Sequence, residues 1–257
     1  MTWLQHYNPL GSLGLSAIVA AIPLFILLYM LGIKRSKGQH AAFFATLAAI
    51  LLAILVWGMP VPLAVMATLN GMLFGLFPVV WIIITAIWVY NMSVESGEFE
   101  IIKNSLACIT DDRRLQALFI AFAFGAFLEG TAGFGTPVAI AAAMLVGLGF
   151  QPVYAAGICL IADTAPVAFG AIGIPIVVAA GVTGLDLHHI SSIVGRQLPF
   201  LSVVVPLWLV VTMSGWQSAM EVLPAIIVTG VCFAVPQFLV SNYVGPYLPD
   251  IIAAIAS

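Results

Sequence analysis

The sequence predicts an all-α fold, a polytopic transmembrane helical bundle in which two of the helices are broken or re-entrant. Hydrophobic residues make up 63% of the chain and charged residues only 7%, whereas soluble domains carry about 25% charged residues. The apolar residues also gather in runs near the roughly 20 residues that cross a bilayer. Glycine and proline interrupt two of these runs, at 130–137 and 163–175, and neither residue sustains a continuous helix.

Three apolar runs open the chain, at 12–33, 41–57 and 65–90. Each is close to the length of a transmembrane helix. No basic region precedes the first run, so we expect it to stay as a membrane helix rather than to be cleaved as a signal peptide. Residues 58–62, with the sequence GMPVP, separate the second run from the third.

The most polar stretch follows at 93–114, and it predicts a short helix on the membrane surface because apolar side chains recur in it at helical spacing. Thr110 is then expected to cap the next helix, with Asp111 and Asp112 in its first turn. Basic loops favour the cytoplasm, which predicts an outside N-terminus and a cytoplasmic position for two loops two spans apart. Their basic residues are Lys34, Arg35 and Lys37 in one, and Lys103, Arg113 and Arg114 in the other.

Residues 115–150 are too long for one span and too short for two, so they predict a broken helix or a re-entrant hairpin around the sequence EGTAGFGTP at 129–137. Such backbone survives at membrane depth only inside protein or beside a water-filled cavity. Residues 152–178 are interrupted in the same manner. Both breaks contain a short echo, TPVA at 136–139 and APVA at 165–168, which alone does not establish a repeat.

The remaining chain reads as a polar connection at 181–197, two spans at 198–213 and 222–239, and a final apolar run at 248–256 that is cut short. No linker separates these parts. We therefore expect a single membrane domain over residues 1–257, with about seven to eight membrane segments.

Glu129 and Asp163 are acids inside apolar runs. An acid at the bilayer centre costs about 2.5–3.5 kcal/mol on insertion scales, so each is a functional candidate, and a buried carboxyl can carry a proton. Two structural alternatives stay open. Glu129 could cap amides of its own glycine turn, and Asp163 could cap a helix break.

A helix that restarts within the membrane presents unpaired amides and a positive dipole end to an anion. The glycines could instead serve close packing. Arg196 could grip a carboxylate through two parallel hydrogen bonds or anchor the chain at the membrane interface. The substrate and proton-coupling candidates are Glu129, Gly130, Thr131, Gly133, Gly135, Thr136, Asp163, Thr164 and Arg196.

No metal or other cofactor is expected. The three cysteines are far apart in sequence, and the adjacent histidines His188 and His189 point in different directions in a helix or a strand. No cluster of basic residues indicates nucleic acid.

Four segments resemble motifs of the bacterial lactate permease family: GAFLEGTAGFGTPVAI at 125–140, TAPVAFGAIGIP at 164–175, GRQLPF at 195–200 and GPYLPDI at 245–251. The resemblance implies a secondary active transporter, not an enzyme, that moves lactate or a related 2-hydroxy monocarboxylate such as glycolate with protons. Its implied place is the bacterial cytoplasmic (inner) membrane, embedded in the lipid bilayer.

The resemblance covers only the N-terminal half of such permeases, which implies that a missing C-terminal half is needed. Asp163 stands where the family usually has Asn, and Tyr247 where it usually has Glu. An extra acid at 163 would disfavour an anion beside it unless that acid is protonated.

Other functions stay open at this stage. The chain could be an inactive or partner-dependent truncated half, a carrier for another small organic anion, or a non-transporting membrane partner. An intramembrane hydrolase using Glu129 and Asp163 is the enzymatic alternative, although neither a Gly-x-Ser-x-Gly elbow nor a His-Glu-x-x-His pair supports it.

Overall fold

In the computed structural model, which describes residues 3, 4 and 6–257, the regular structure of these residues is helical, with no β-strand among them. The predicted all-α helical bundle is thereby confirmed. The chain divides into two compact units, Met1–Pro78 and Val79–Ser257.

The described residues of the first unit form four α-helices, and their apolar side chains are mostly exposed, as in helices that lipid surrounds. Proline opens two of these helices, where its missing N–H is no loss. The elements are α1 (Leu13–Ala20), α2 (Ile22–Leu28), a π-helical turn (Tyr29–Ile33), α3 (Gly38–Leu55) and α4 (Val61–Phe74), which leads into a π-helical turn at Gly75–Val80.

The second unit contains ten α-helices and most of the buried side chains. They are α5 (Trp81–Glu95), α6 (Glu98–Ala107), α7 (Arg113–Ala117), α8 (Gly125–Thr131), α9 (Thr136–Gly147), α10 (Pro152–Ala162), α11 (Gly170–Thr183), α12 (Leu187–Glu221), α13 (Leu223–Tyr243) and α14 (Pro249–Ala256). A π-helical stretch, Leu118–Phe124, joins α7 to α8, and a 3₁₀ turn, Val167–Phe169, precedes α11.

Five helices of the described chain are long and apolar enough to cross a membrane, and a sixth crossing is counted if the bent pair is one span. The bent pair is Pro152–Ala162 with Val167–Thr183, at 75°. The five are Leu13–Ile33, Gly38–Leu55, Val61–Glu95, Leu187–Glu221 and Leu223–Tyr243. The single domain and the seven to eight segments stay predictions.

The core of the second unit forms where α12 and α13 pack against the stretch that leads into α8. Phe122 meets Phe233 edge to face, with ring centroids 5.1 Å apart. Gly230 lets α13 approach α12 closely, because a Cβ on Gly230 would lie 3.0 Å from the Cα of Val203. Small residues permit such close helix contacts in membranes.

The segment predicted as a broken helix or a re-entrant hairpin is broken, and its two ends meet. The Arg113 guanidinium lies over the Phe150 ring, 5.4 Å from the centroid. A Cβ on Gly147 would lie 3.1 Å from the Lys103 side chain. The chain from α7 to α9 therefore leaves one end of the bundle and returns to it, which is the hairpin form.

The predicted cap at Thr110 is wrong by two residues. Asp112 caps α7, and its side chain accepts a 2.8 Å hydrogen bond from the Arg114 amide, while the Thr110 hydroxyl accepts from the Asp112 amide. The Arg114 side chain also donates to Asp112 and to Glu221, both at 2.6–2.7 Å. Its hydrogen bonds hold the pKa of Asp112 below the usual value, and they fasten α7 to the end of α12.

The predicted polar connection at 181–197 is also wrong over most of its length. Helix α12 begins at Leu187, after the Asp186 carboxylate, which accepts a 2.9 Å hydrogen bond from the His189 amide. His188, His189 and Arg196 thus lie on the helix. Counting apolar residues misplaced its start, because backbone hydrogen bonds extend a capped helix through polar turns as well.

Candidate functional site

The two helix breaks of the second unit each contain three consecutive residues with positive φ. In the first, Gly133, Phe134 and Gly135 have φ of 59°, 53° and 80°. In the second, Ala171, Ile172 and Gly173 have φ of 47°, 57° and 73°. Left-handed backbone is uncommon for residues other than glycine, above all for a β-branched isoleucine, and strain of this kind clusters at functional sites.

The two breaks also contact each other. A Cβ on Gly133 would lie 2.8 Å from the Cβ of Ala171, and a Cβ on Gly170 would overlap the Glu129 carboxyl. Close packing therefore explains Gly133 and Gly170. Gly135 differs, because nothing lies within 4 Å of the position that its Cβ would take.

Glu129 is buried at this junction, with 4% of its surface exposed. Its carboxyl adjoins that of Asp163, and its Oε2 has no hydrogen-bond partner among the described residues. The amides of Ala132 and Gly133 donate to the Leu128 carbonyl. The geometry thus offers no support for Glu129 as the cap of its own glycine turn.

Asp250 joins this pair from α14 and was missed by sequence reasoning. It is 1% exposed and interacts electrostatically with Glu129 and Asp163. A Cβ on Gly130 would lie 3.1 Å from the Asp250 Cβ, so Gly130 lets α8 and α14 meet. The missed signal was an acid directly after the proline that opens the final apolar run.

Gln237 was missed as well, although it is a polar residue within the apolar run of α13. Its Nε2 donates to the Asp250 Oδ1 at 3.1 Å and to the Ala165 carbonyl at 3.2 Å. Its Oε1 accepts from the Ser202 hydroxyl at 2.7 Å. Within the described part of the chain, no three His, Cys, Asp or Glu side chains are grouped so as to hold a metal ion.

Thr131 and Thr136 line a cavity of about 480 Å³ between α5, α6 and the first break. The wall is mainly apolar and includes five residues that carry a hydroxyl group: Thr85, Tyr90, Ser93, Thr131 and Thr136. A second cavity of about 320 Å³ shares Thr136 and reaches Gly135 and Asn91. The start of α9 therefore borders both cavities.

The last two candidates lie elsewhere. Thr164 is exposed, and its hydroxyl donates to the Ile161 carbonyl at 2.7 Å. Arg196 is exposed on α12 and donates to the Asn242 side chain of α13 at 3.0 Å. None of these hydrogen bonds brings Thr164 or Arg196 to the acids, and Arg196 as a substrate-binding residue stays a prediction.

Comparison with known proteins identifies the family. Residues 16–257 match the family described as L-lactate permease. The chain belongs to the L-lactate permease family. It is 56% identical to the L-lactate permease of Bacillus subtilis, 55% identical to the glycolate permease of Escherichia coli and 50% identical to the L-lactate permease of Escherichia coli.

The alignments cover 99–100% of this chain but 46% of each relative, so the chain spans about half the length of the curated relatives it matches. No solved structure matches it. Family membership together with the apolar helices makes it a multi-pass integral membrane protein.

Proposed function

We propose that the chain forms the N-terminal half of a secondary active transporter that moves lactate, or a related 2-hydroxy monocarboxylate such as glycolate, with protons across the cytoplasmic membrane. The substrate class is taken from the names of the L-lactate and glycolate permeases that it resembles. The observation that carries the proton coupling is Glu129, a buried acid beside a helix break with one carboxyl oxygen unpartnered among the described residues.

The proton side of the proposal rests on the cost of burying charge. An ionised carboxylate without partners is far more costly to bury than a neutral acid, so Glu129 favours the protonated state when its surroundings are closed. Water or substrate traffic that opens the site would let the proton leave. Alternation between these two states is what a proton-coupled carrier requires.

The substrate side rests on the cavity at the start of α9. Thr131 and Thr136 line it, and the positive end of the α9 dipole lies beside it. Gly135 leaves open space at this helix start. The Thr136 hydroxyl could donate a hydrogen bond to a small carboxylate, while the apolar wall would accommodate the methyl group of the substrate. The Thr131 hydroxyl donates to the Leu128 carbonyl at 3.0 Å, so it could only accept a hydrogen bond from the substrate hydroxyl. The three acids are not among the residues that line the cavity, and they would not repel the anion when protonated.

Proteoliposomes test the function. We expect the transport-competent protein that contains this chain to couple lactate entry to proton entry, and to accumulate lactate when an inward proton gradient is imposed. The same assay with this chain alone tests whether half the relatives' length suffices; we expect no accumulation until the second half is supplied. If lactate entry through the complete protein does not depend on the proton gradient, the proposed proton coupling is rejected.

A further inference from the structure

A groove of about 510 Å³ runs between α12 and α13, and every side chain that lines it is apolar. The lining residues are Pro199, Phe200, Val203, Val204, Ala234, Val235, Phe238 and Leu239. Ala234 is buried, whereas Phe200 has 76% of its surface exposed. The groove therefore opens on the surface of the described chain and not into its core.

Arg196 lies at one end of this groove. Positions 196, 200 and 204 of α12 are four residues apart, so their side chains share one face of the helix. The Arg196 Nε donates to the Asn242 Oδ1 at 3.0 Å, and Asn242 lies one turn beyond Phe238 on α13. The pair of Arg196 and Asn242 therefore joins the two helices at the same end of the groove.

The contact with Asn242 leaves most of the Arg196 guanidinium free. The Asn242 Nδ2 donates to the Phe238 carbonyl at 2.9 Å, so the amide oxygen is the atom that accepts from Arg196. The two terminal nitrogens of Arg196 have no partner among the described residues, and its side chain is exposed. Two parallel N–H groups of a guanidinium match two oxygens of a phosphate.

The position of this pair along the helices matches the depth of lipid headgroups. The apolar runs at 198–213 and 222–239 cross the hydrocarbon, and Arg196 and Asn242 lie just outside them at the same boundary. A basic side chain near the end of a span places its charge at the interface. Arg196 is also the only Lys or Arg that follows Arg114 in the sequence, so one positive charge marks this end of the groove.

We propose that the groove binds an acyl chain of an anionic phospholipid, whose phosphate accepts hydrogen bonds from Arg196. The site has a cation at one end and an apolar surface along its length, as such a lipid requires. A small 2-hydroxy acid is a poorer match, because the apolar wall leaves its hydroxyl group without a hydrogen-bond partner. This site does not rest on the proposed transport function.

The test measures the lipid retained by the complete protein that contains this chain, purified in detergent and examined by native mass spectrometry. The two probes are phosphatidylglycerol and the zwitterionic phosphatidylcholine with identical acyl chains. Phosphatidylglycerol should bind about fivefold more tightly, since one basic residue near an anionic headgroup contributes about that factor. Arg196→Gln keeps a polar side chain but removes the charge, and it should abolish this preference. Arg35→Gln removes an exposed arginine elsewhere and should preserve it.

A second pair of variants tests the groove itself. Val204→Trp places a large side chain in the groove and should weaken retention of both lipids. Val228→Trp makes the same change on α13 at a position that does not line the groove, and it should leave retention unchanged. The two valines are 53% and 57% exposed, so both variants are expected to fold.

Three results would overturn the lipid site. Two are phosphatidylglycerol retention by Arg196→Gln, or by Val204→Trp, equal to that of the parent. The third is retention by the 257-residue chain but not by the complete protein, which would show that the rest of the protein covers the groove. Because none of these measurements uses transport, a failure of lactate accumulation would reject the proposed function alone.

Discussion

Glu129 lies two residues before the end of α8. Its carboxyl contacts Gly170, a residue of the second helix break. Placement inside an apolar run was enough to single it out from sequence. Its contacts were not predictable, because Asp163 is 34 positions away and Asp250 lies on the last helix. Only the tertiary fold shows that the three acids form one cluster.

Glu129→Gln tests the proton carrier directly. The amide keeps the shape of the side chain and fixes it in a neutral state, as if permanently protonated. We expect lactate binding and lactate exchange to persist while uphill, proton-driven uptake is lost, measured in proteoliposomes with the complete protein. If the variant accumulates lactate as well as the parent does, Glu129 has only a structural role, and Asp163 becomes the candidate proton carrier.

Asp163→Asn is the complementary test, and it introduces the residue that the lactate permease resemblance implies at this position. An amide at 163 can still form a hydrogen bond with the Glu129 carboxyl, which retains one proton-binding group. We expect uphill lactate uptake to persist, with its half-maximal rate shifted toward lower pH because an ionised Glu129 gains a donor. Loss of uphill uptake with exchange intact would instead make Asp163 the carrier.

At the scale of elements, the two breaks were predictable and their form was not. Glycine and proline in apolar runs predict an interruption wherever they cluster. The echo seen in sequence, TPVA against APVA, does not mark the matching backbone. The matching positive φ values fall at 133–135 and 171–173, and in each case a proline follows two residues later, in GFGTP and AIGIP. Side-chain identity hides this likeness, since one run has two glycines and the other has one.

Two alanine substitutions separate backbone strain from packing at the first break. Gly133 and Gly135 both have left-handed backbone, which costs an L-residue about 1–2 kcal/mol. Only Gly133 is also crowded, by Ala171, and overpacking typically adds about 1–3 kcal/mol. We expect Gly133→Ala to lower the midpoint of thermal unfolding in detergent clearly more than Gly135→Ala. Equal midpoints would show that the contact between the breaks is loose.

At the scale of the whole molecule, composition and run length were sufficient for the membrane class and for most of the apolar spans. Composition and run length did not predict where a helix begins when its first turns are polar, as at the start of α12. They also left the hairpin undecided, because whether a broken segment crosses or returns depends on contacts between its ends. The contact of Arg113 with Phe150 decides this, and nothing in the sequence pairs those two residues.

The ends of this hairpin and of α12 predict which side of the membrane each of them reaches. Tyr154, early in α10, donates to the Met213 carbonyl at 3.2 Å, which places the return of the hairpin beside the C-terminal part of α12. From Leu187 to Met213 a helix rises roughly 40 Å at 1.5 Å per residue, more than the roughly 30 Å hydrocarbon core. We therefore expect Leu187 and Met213 to lie on opposite sides of the membrane.

Sequence analysis predicts that Lys103 and Arg113 lie on the cytoplasmic side. A thiol at 151 should then react with an impermeant maleimide only from the cytoplasmic side, and a thiol at 188 only from outside. Gln151 and His188 are both exposed. Gln151→Cys and His188→Cys would each be made in a chain whose Cys108, Cys159 and Cys232 have been replaced by serine or alanine. The parent's exposed Cys108 serves as the cytoplasmic reference, since it lies in the predicted surface segment. Labelling of 151 and 188 from the same side would contradict the hairpin and the crossing by α12. Opposite labelling with the sides exchanged would instead retain the fold and reverse the orientation proposed from the basic loops.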